Sequence, residues 1–209
     1  MRFLVVGAGA IGGYFGGKLQ QGGADVTFLV RPRRAAQLAN RGLVVRAQDG
    51  QISAPARTAL AGQIDGTFDV VLLCCKGYDL DDSMDAIAPV MGPATVVLPL
   101  LNGIRHISML SDRFGADRVL GGLTAVNAVL EPDGAIVQSP VKIDTTGFGE
   151  PSGDARRAAP PSKRRSWRAA CPARSVTISS PSCGPSCSAL RARCCRAKTL
   201  CALPPETSV

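Results

Sequence analysis

Three glycines, Gly7, Gly9 and Gly12, stand at the spacing G-x-G-x-x-G, with Ala8 and then Ala10 and Ile11 between them, directly after the apolar run Phe3-Leu4-Val5-Val6. Each has its own work in a strand–turn–helix unit. Gly7 permits the tight turn out of the strand, Gly9 lets a pyrophosphate come close to the backbone, and Gly12 lets the helix pack on the strand. The amides that open such a helix have no partner within it and lie at the positive end of its dipole, which favours an anion. The pattern therefore points to a dinucleotide, with residues 7–12 as its phosphate cradle.

A second site residue stands at the end of the next apolar segment, Val26-Thr27-Phe28-Leu29-Val30, which is followed by Arg31-Pro32-Arg33-Arg34. A cofactor with a free ribose 2′-hydroxyl asks for Asp or Glu at this place, and the segment offers none. A 2′-phosphate asks for a guanidinium, whose planar fork makes charge-assisted bonds to it. NADP(H) is the expected cofactor, with Arg31 as its first contact and Arg33 or Arg34 in support.

Two further polar residues fall just beyond apolar runs. Lys76 follows Phe68–Cys75 and Asn102 follows Thr95–Leu98, each where ligands bind at the carboxyl ends of parallel strands. Asn102 precedes Gly103, a turn pair, and its amide can donate and accept at once. The lone histidine, His106, has no paired carboxylate or cysteine nearby in sequence; it is expected at the surface and receives no role.

The elements that must carry these residues are legible between them. Strands are expected at Phe3–Val6, Val26–Val30, Phe68–Cys75 and Thr95–Leu98, apolar on both faces as in a parallel sheet. Helices are expected from the glycine turn to Leu19, over Arg34–Arg41, over about Leu80–Met91 with Asp79, Asp81 and Asp82 at its start, and over Ile104–Phe114. Leu43–Ala47 and the Ile52 segment read as a hairpin around Gln48-Asp49-Gly50, as a type I′ turn. Val119–Val129 reads as one strand-like region. Ala135–Gln138 and Val141–Phe148 read as an antiparallel edge pair turning at Ser139-Pro140. The fold class is α/β, a Rossmann-type doubly wound, mostly parallel sheet.

Composition divides the chain in two. Residues 1–151 carry 13 Lys and Arg against 14 Asp and Glu, whereas residues 152–209 carry 11 against two, so the formal charge of +8 arises in the tail. The tail holds six of the eight cysteines, nine arginines, ten serines and seven prolines, but only six Val, Ile or Leu. Such a segment buries too little apolar surface to offset its ordering entropy, and it is expected to be a low-order tail after a domain spanning 1–151. Its cysteines lack C-x-x-C pairs and a histidine, so no metal site is expected. A basic arm for nucleic acid is a second reading, and abrupt loss of periodicity with Arg, Ala, Pro, Ser and Cys enrichment fits out-of-frame translation best. No leader is visible, and no apolar run approaches the roughly 18 residues that span a bilayer, so no membrane partner and a cytoplasmic location are expected.

VVGAGAIGGYFGGKL, FLVRP, VVLLCCKGYD, LPLLNGI and GGLTAVNAVLEPDGAIV occur in that order from the start of the chain to about Pro151, and together they resemble the N-terminal half of the ketopantoate reductases (2-dehydropantoate 2-reductases). The resemblance implies NADPH-dependent reduction of a small 2-keto acid, 2-dehydropantoate, to (R)-pantoate on the way to pantothenate and coenzyme A. It implies that Gly7 to Gly12 hold the pyrophosphate and that Arg31 holds the 2′-phosphate. It implies too that Lys76 and Asn102 contact the ribose and nicotinamide side and help shape the substrate cleft, which Ala128 lines. The family's catalytic lysine, an acidic residue and substrate-gripping asparagines come from a helical second domain that residues 152–209 do not resemble. No catalytic residue is therefore assigned, and the chain as written is expected to be a truncated, impaired reductase. The alternative is a non-catalytic NADP(H)-binding module with a polyanion-binding tail.

Overall fold

The computed structural model describes residues 1–139, 145–149 and 176–179. Its centre is a five-stranded parallel sheet of β1 (Arg2–Val6), β2 (Asp25–Leu29), β5 (Arg57–Ala59), β6 (Val70–Leu73) and β7 (Val96–Pro99), in the order β5-β2-β1-β6-β7. Successive residues of each central strand feed opposite faces, as the pleat demands. Phe3, Val5, Val70 and Leu72 join one core with Tyr14, Phe15 and Leu38, and Leu4, Val6, Val71 and Leu73 join a second with Met84, Ile87 and Leu110. Helices α1 (Ala10–Gln21) and α2 (Pro32–Arg41) thus cover one face, and α3 (Leu80–Ile87) and α4 (Arg105–Phe114) cover the other. This is the doubly wound α/β arrangement.

A second sheet lies against α1. It contains β3 (Leu43–Ala47), β4 (Gly50–Ala54), β9 (Ala128–Leu130) and β10 (Ile136–Gln138), in the order β4-β3-β10-β9. α1 lies between the two sheets because its glycines leave it nearly smooth. A Cβ at Gly16 would overlap the Phe28 ring of β2, and one at Gly13 would overlap the Ile136 side chain of β10. A third sheet joins β8 (Gly121–Thr124), β11 (Thr145–Gly149) and β12 (Val176–Ser179), with β11 in the middle and antiparallel to both.

Several boundaries differ from the sequence-based expectations. α2 begins at Pro32, two residues before the expected Arg34, because proline suits the first turn, where its missing N–H is not needed. α3 ends at Ile87 and passes into a 3₁₀ turn over Ala88–Val90 at Pro89. The region Val119–Val129 is two strands in different sheets, and Ala135–Gln138 does not pair with the segment that follows it. β10 pairs in parallel with β3 and antiparallel with β9 through the turn at Glu131-Pro132-Asp133-Gly134, where Gly134 has φ +90°. That Pro-Asp-Gly run is a turn signal in its own right. The β3–β4 loop is Gln48-Asp49, closed by the pair Ala47 and Gly50; no non-glycine residue takes a positive φ among the described residues, so it is not a type I′ turn. Pro140 and the tail outside Val176–Ser179 lie beyond the described residues.

Candidate functional site

The parallel sheet brings the expected residues to one edge. β2, β1, β6 and β7 are neighbours in that order, so the loops leaving their carboxyl ends stand side by side. The amide ladder continues into these loops: Gly7 N–H donates to the Leu29 carbonyl at 2.9 Å, Cys74 N–H to Val6 at 3.1 Å and Leu100 N–H to Leu73 at 2.8 Å. Leu73 and Pro99 are register partners. Lys76 and Asn102 lie three residues beyond these partners, in the loops that leave adjacent strands. The crevice at which the chain departs from β1 to β2 on one side and β6 on the other is where open α/β sheets bind ligands.

The three glycines play distinct parts here. Gly7 turns the chain at φ +91°, which only glycine adopts without strain. Gly12 lies so close to Gly7 that an added Cβ would overlap the Gly7 carbonyl oxygen and come within 3.1 Å of the Cys74 Cβ. Gly9 is different. It is extended (φ −78°, ψ −159°), a conformation open to any residue, and nothing lies within 4 Å of where its Cβ would be. Neither backbone nor packing requires glycine at that position. Gly9 also caps α1 without a side-chain bond, and the first turn, which includes Ala10, Ile11 and Gly12, contains no acid. The helix thus starts at a glycine with open space beside it and has no carboxylate in its first turn to repel an anion. This fits the pyrophosphate of a dinucleotide.

Arg31 is the N-cap of α2 and is 74% exposed at its side chain, but its guanidinium is not idle. Nη2 donates to the Asp79 carboxylate at 2.6 Å. Asp79 ends the 3₁₀ turn Gly77–Asp79 after β6, so the pair links loops from the two strands that flank β1. Sequence reading placed Asp79 as a helix-start charge and did not place it beside Arg31. Only the strand order reveals that the two chain segments are neighbours. Arg34, expected to support Arg31, faces elsewhere: Nε donates to the Ala8 carbonyl at 2.8 Å and Nη1 to Gly134 at 3.0 Å, bracing the glycine turn from behind. Arg33 is exposed.

Lys76 is exposed and forms no ion pair among the described residues; Asn102 is exposed in a turn, with Gly103 at φ +86°. Ala128 opens β9 in the second sheet, half-buried against the core that α1 shares. Cys74 and Cys75 are free thiols, and burial pushes both up from the ordinary value, so each stays protonated and inert at neutral pH. His106 corrects the expectation of a surface residue: it is 5% exposed. A cleft of about 250 Å³ lined by Arg34, Arg41, Arg46 and Asp133 lies between α2 and β3. Its guanidiniums already donate to Gly134 and Asp133 or pair with Asp133, and it holds none of Gly9, Arg31, Lys76 or Asn102. Among the described residues no cluster of three metal-ligating side chains occurs, and no helix is long and apolar enough to cross a membrane.

Comparison with known proteins agrees with this geometry. The family model for ketopantoate reductase PanE/ApbA matches residues 3–153. The chain belongs to the ketopantoate reductase family. It is 43% identical over 136 residues to an uncharacterized oxidoreductase, YkpB, of Bacillus subtilis strain 168, covering 65% of this chain and 45% of that protein. Among solved structures it is similar to a 2-dehydropantoate 2-reductase from Geobacter metallireducens GS-15, with 32% identity, a TM-score of 0.63, and 68% and 47% of the two chains covered. It is also similar to a D-mandelate dehydrogenase solved with NADH and anilino(oxo)acetate, at 26% identity and a TM-score of 0.63, covering 67% and 46%. The chain spans about half the length of the curated relatives it matches.

Proposed function

We propose that residues 1–151 are the cofactor-binding half of an NADP(H)-dependent reductase of small 2-keto acids, with 2-dehydropantoate as substrate. The observation that carries the reading is the open space at Gly9: a glycine free of backbone and packing demands, at the head of an uncapped helix, leaves room for a ligand's phosphates. Gly7 to Gly12 would hold the pyrophosphate, Arg31 the 2′-phosphate, and Lys76 and Asn102 the ribose and carboxamide groups. The bound nicotinamide supplies the reducing equivalent. What the chain's own residues would contribute is position, since Lys76 and Asn102 both follow the carboxyl ends of adjacent strands. Asn102 can donate to a carbonyl and accept from a hydroxyl at once, which suits it to a 2-keto acid and its product. Since the chain spans about half of its curated relatives, the proposal assigns cofactor binding to these residues, and a proton donor to the ketone is sought outside them.

Differential titration tests this reading. NADPH should bind at least tenfold more tightly than NADH by cofactor fluorescence, about 1.4 kcal/mol. Arg31→Ala should remove most of that preference, because Arg34 is committed to Ala8 and Gly134 and cannot take its place. Equal affinity of the unmodified chain for the two cofactors would remove the assignment.

A further inference from the structure

Asp79 adds to the cofactor site a group that the strand-end pattern lacks. Sheets of this type select an unphosphorylated ribose with a carboxylate at the end of the second strand, and this chain has arginine there. The fold returns a carboxylate to the same place from another strand, since Asp79 Oδ1 lies 2.6 Å from Arg31 Nη2. An acceptor in hydrogen-bond contact with that guanidinium is also within reach of whatever the guanidinium holds. Three observations indicate that the carboxylate is held for this use. It stands at the N-cap of α3 but makes no capping bond to the helix amides, which would be its ordinary task. It is only 22% exposed at its side chain, whereas its partner Arg31 is 74% exposed. And the pair connects the loops on either side of β1, whose exit is the glycine turn.

We infer that Asp79 is a specificity-determining residue of the cofactor site: it accepts from the 2′-hydroxyl of an unphosphorylated adenine ribose and opposes the 2′-phosphate, so that it limits the preference that Arg31 creates. The inference rests on the proposed dinucleotide function and deepens it. A 2′-phosphate brings nearly two negative charges to a guanidinium already paired with the Asp79 carboxylate, and that carboxylate repels it. A 2′-hydroxyl is a donor, needs an acceptor, and finds it in Asp79 rather than in Arg31. The two side chains therefore pull cofactor choice in opposite directions from one point of contact.

The experiment is titration of the full chain and of Asp79→Asn, Asp79→Glu and Arg31→Ala with NADPH and with NADH, read by cofactor fluorescence, with thermal melting as the control for folding. Asp79→Asn should bind NADPH about threefold or more tightly and NADH about threefold or more weakly than the unmodified chain, and Asp79→Glu should restore the original ratio. If Asp79 instead serves only to orient Arg31, Asp79→Asn weakens NADPH and leaves NADH unchanged, and the inference is overturned. Unchanged affinities for both cofactors overturn it as well. Arg31→Ala separates the two claims: if it leaves the NADPH preference intact, the 2′-phosphate assignment fails, while weakened NADH binding in Asp79→Asn still supports the carboxylate's role.

Discussion

His106 occupies the second position of α4, 5% exposed, and its buried Nε2 has no hydrogen-bond partner among the described residues. Burial disfavours the imidazolium and lowers the pKa from its ordinary value. The folded chain therefore refuses a proton that the unfolded chain accepts below about pH 6.5. Stability linked to this group is complete above that pH and is lost as pH falls toward the folded-state value. His106→Leu fills the same space without a titrating group. The unmodified chain should lose melting temperature as pH falls below about 6.5, and the leucine variant should lose less. An identical decline in both would show that His106 is not the group responsible. Sequence reading could not foresee this burial, because a single histidine in an amphipathic helix carries no sign of which face it takes. The place of Arg31 just after β2, by contrast, was legible, since the apolar run before it marks the strand. Its partner Asp79 was not, since 48 positions separate the two and only the strand order joins them.

Helix α1 depends on closeness more than on propensity. Four of its twelve residues and its N-cap are glycine, a poor helix former, yet the glycines at 12, 13, 16 and 17 are all buried. They let the helix lie against Gly7, Ile136, Phe28 and Val45 in turn, so one element packs on both sheets. Gly12→Ala should therefore be destabilising by about 1–3 kcal/mol, because the new methyl meets main chain, which cannot swing aside as a side chain does. Thermal or urea unfolding measures it, and a melting temperature unchanged from the original would contradict the close approach. The sequence marked this helix and the buried strands well, because their signals are local. It marked β10 but not its partners: β10 pairs with β9 through the Pro132-Asp133-Gly134 turn, and its parallel pairing to β3 joins residues 91 positions apart. It also missed β5, whose three residues carry too little pattern to announce a strand.

Across the whole molecule, the two cores and the strand order serve one outcome, a rigid sheet edge from which the loops of β1, β2, β6 and β7 project together. The family to which the chain belongs was legible from its motifs, and those around Gly7, Arg31, Lys76 and Asn102 fall at the carboxyl ends of parallel strands, where a doubly wound fold meets its ligand. Charge division was equally plain in the sequence, although the structure describes only Val176–Ser179 of the basic tail. The claim on which the functional reading depends is that Gly9 is glycine for a ligand and not for the fold. Gly9→Ala therefore separates binding from stability, since its Cβ enters empty space at an unstrained backbone. NADPH titration and thermal melting of this variant beside the unmodified chain should show an unchanged melting temperature and at least tenfold weaker binding; equal NADPH affinity in the two proteins would contradict the assignment of the glycine turn as the cofactor cradle.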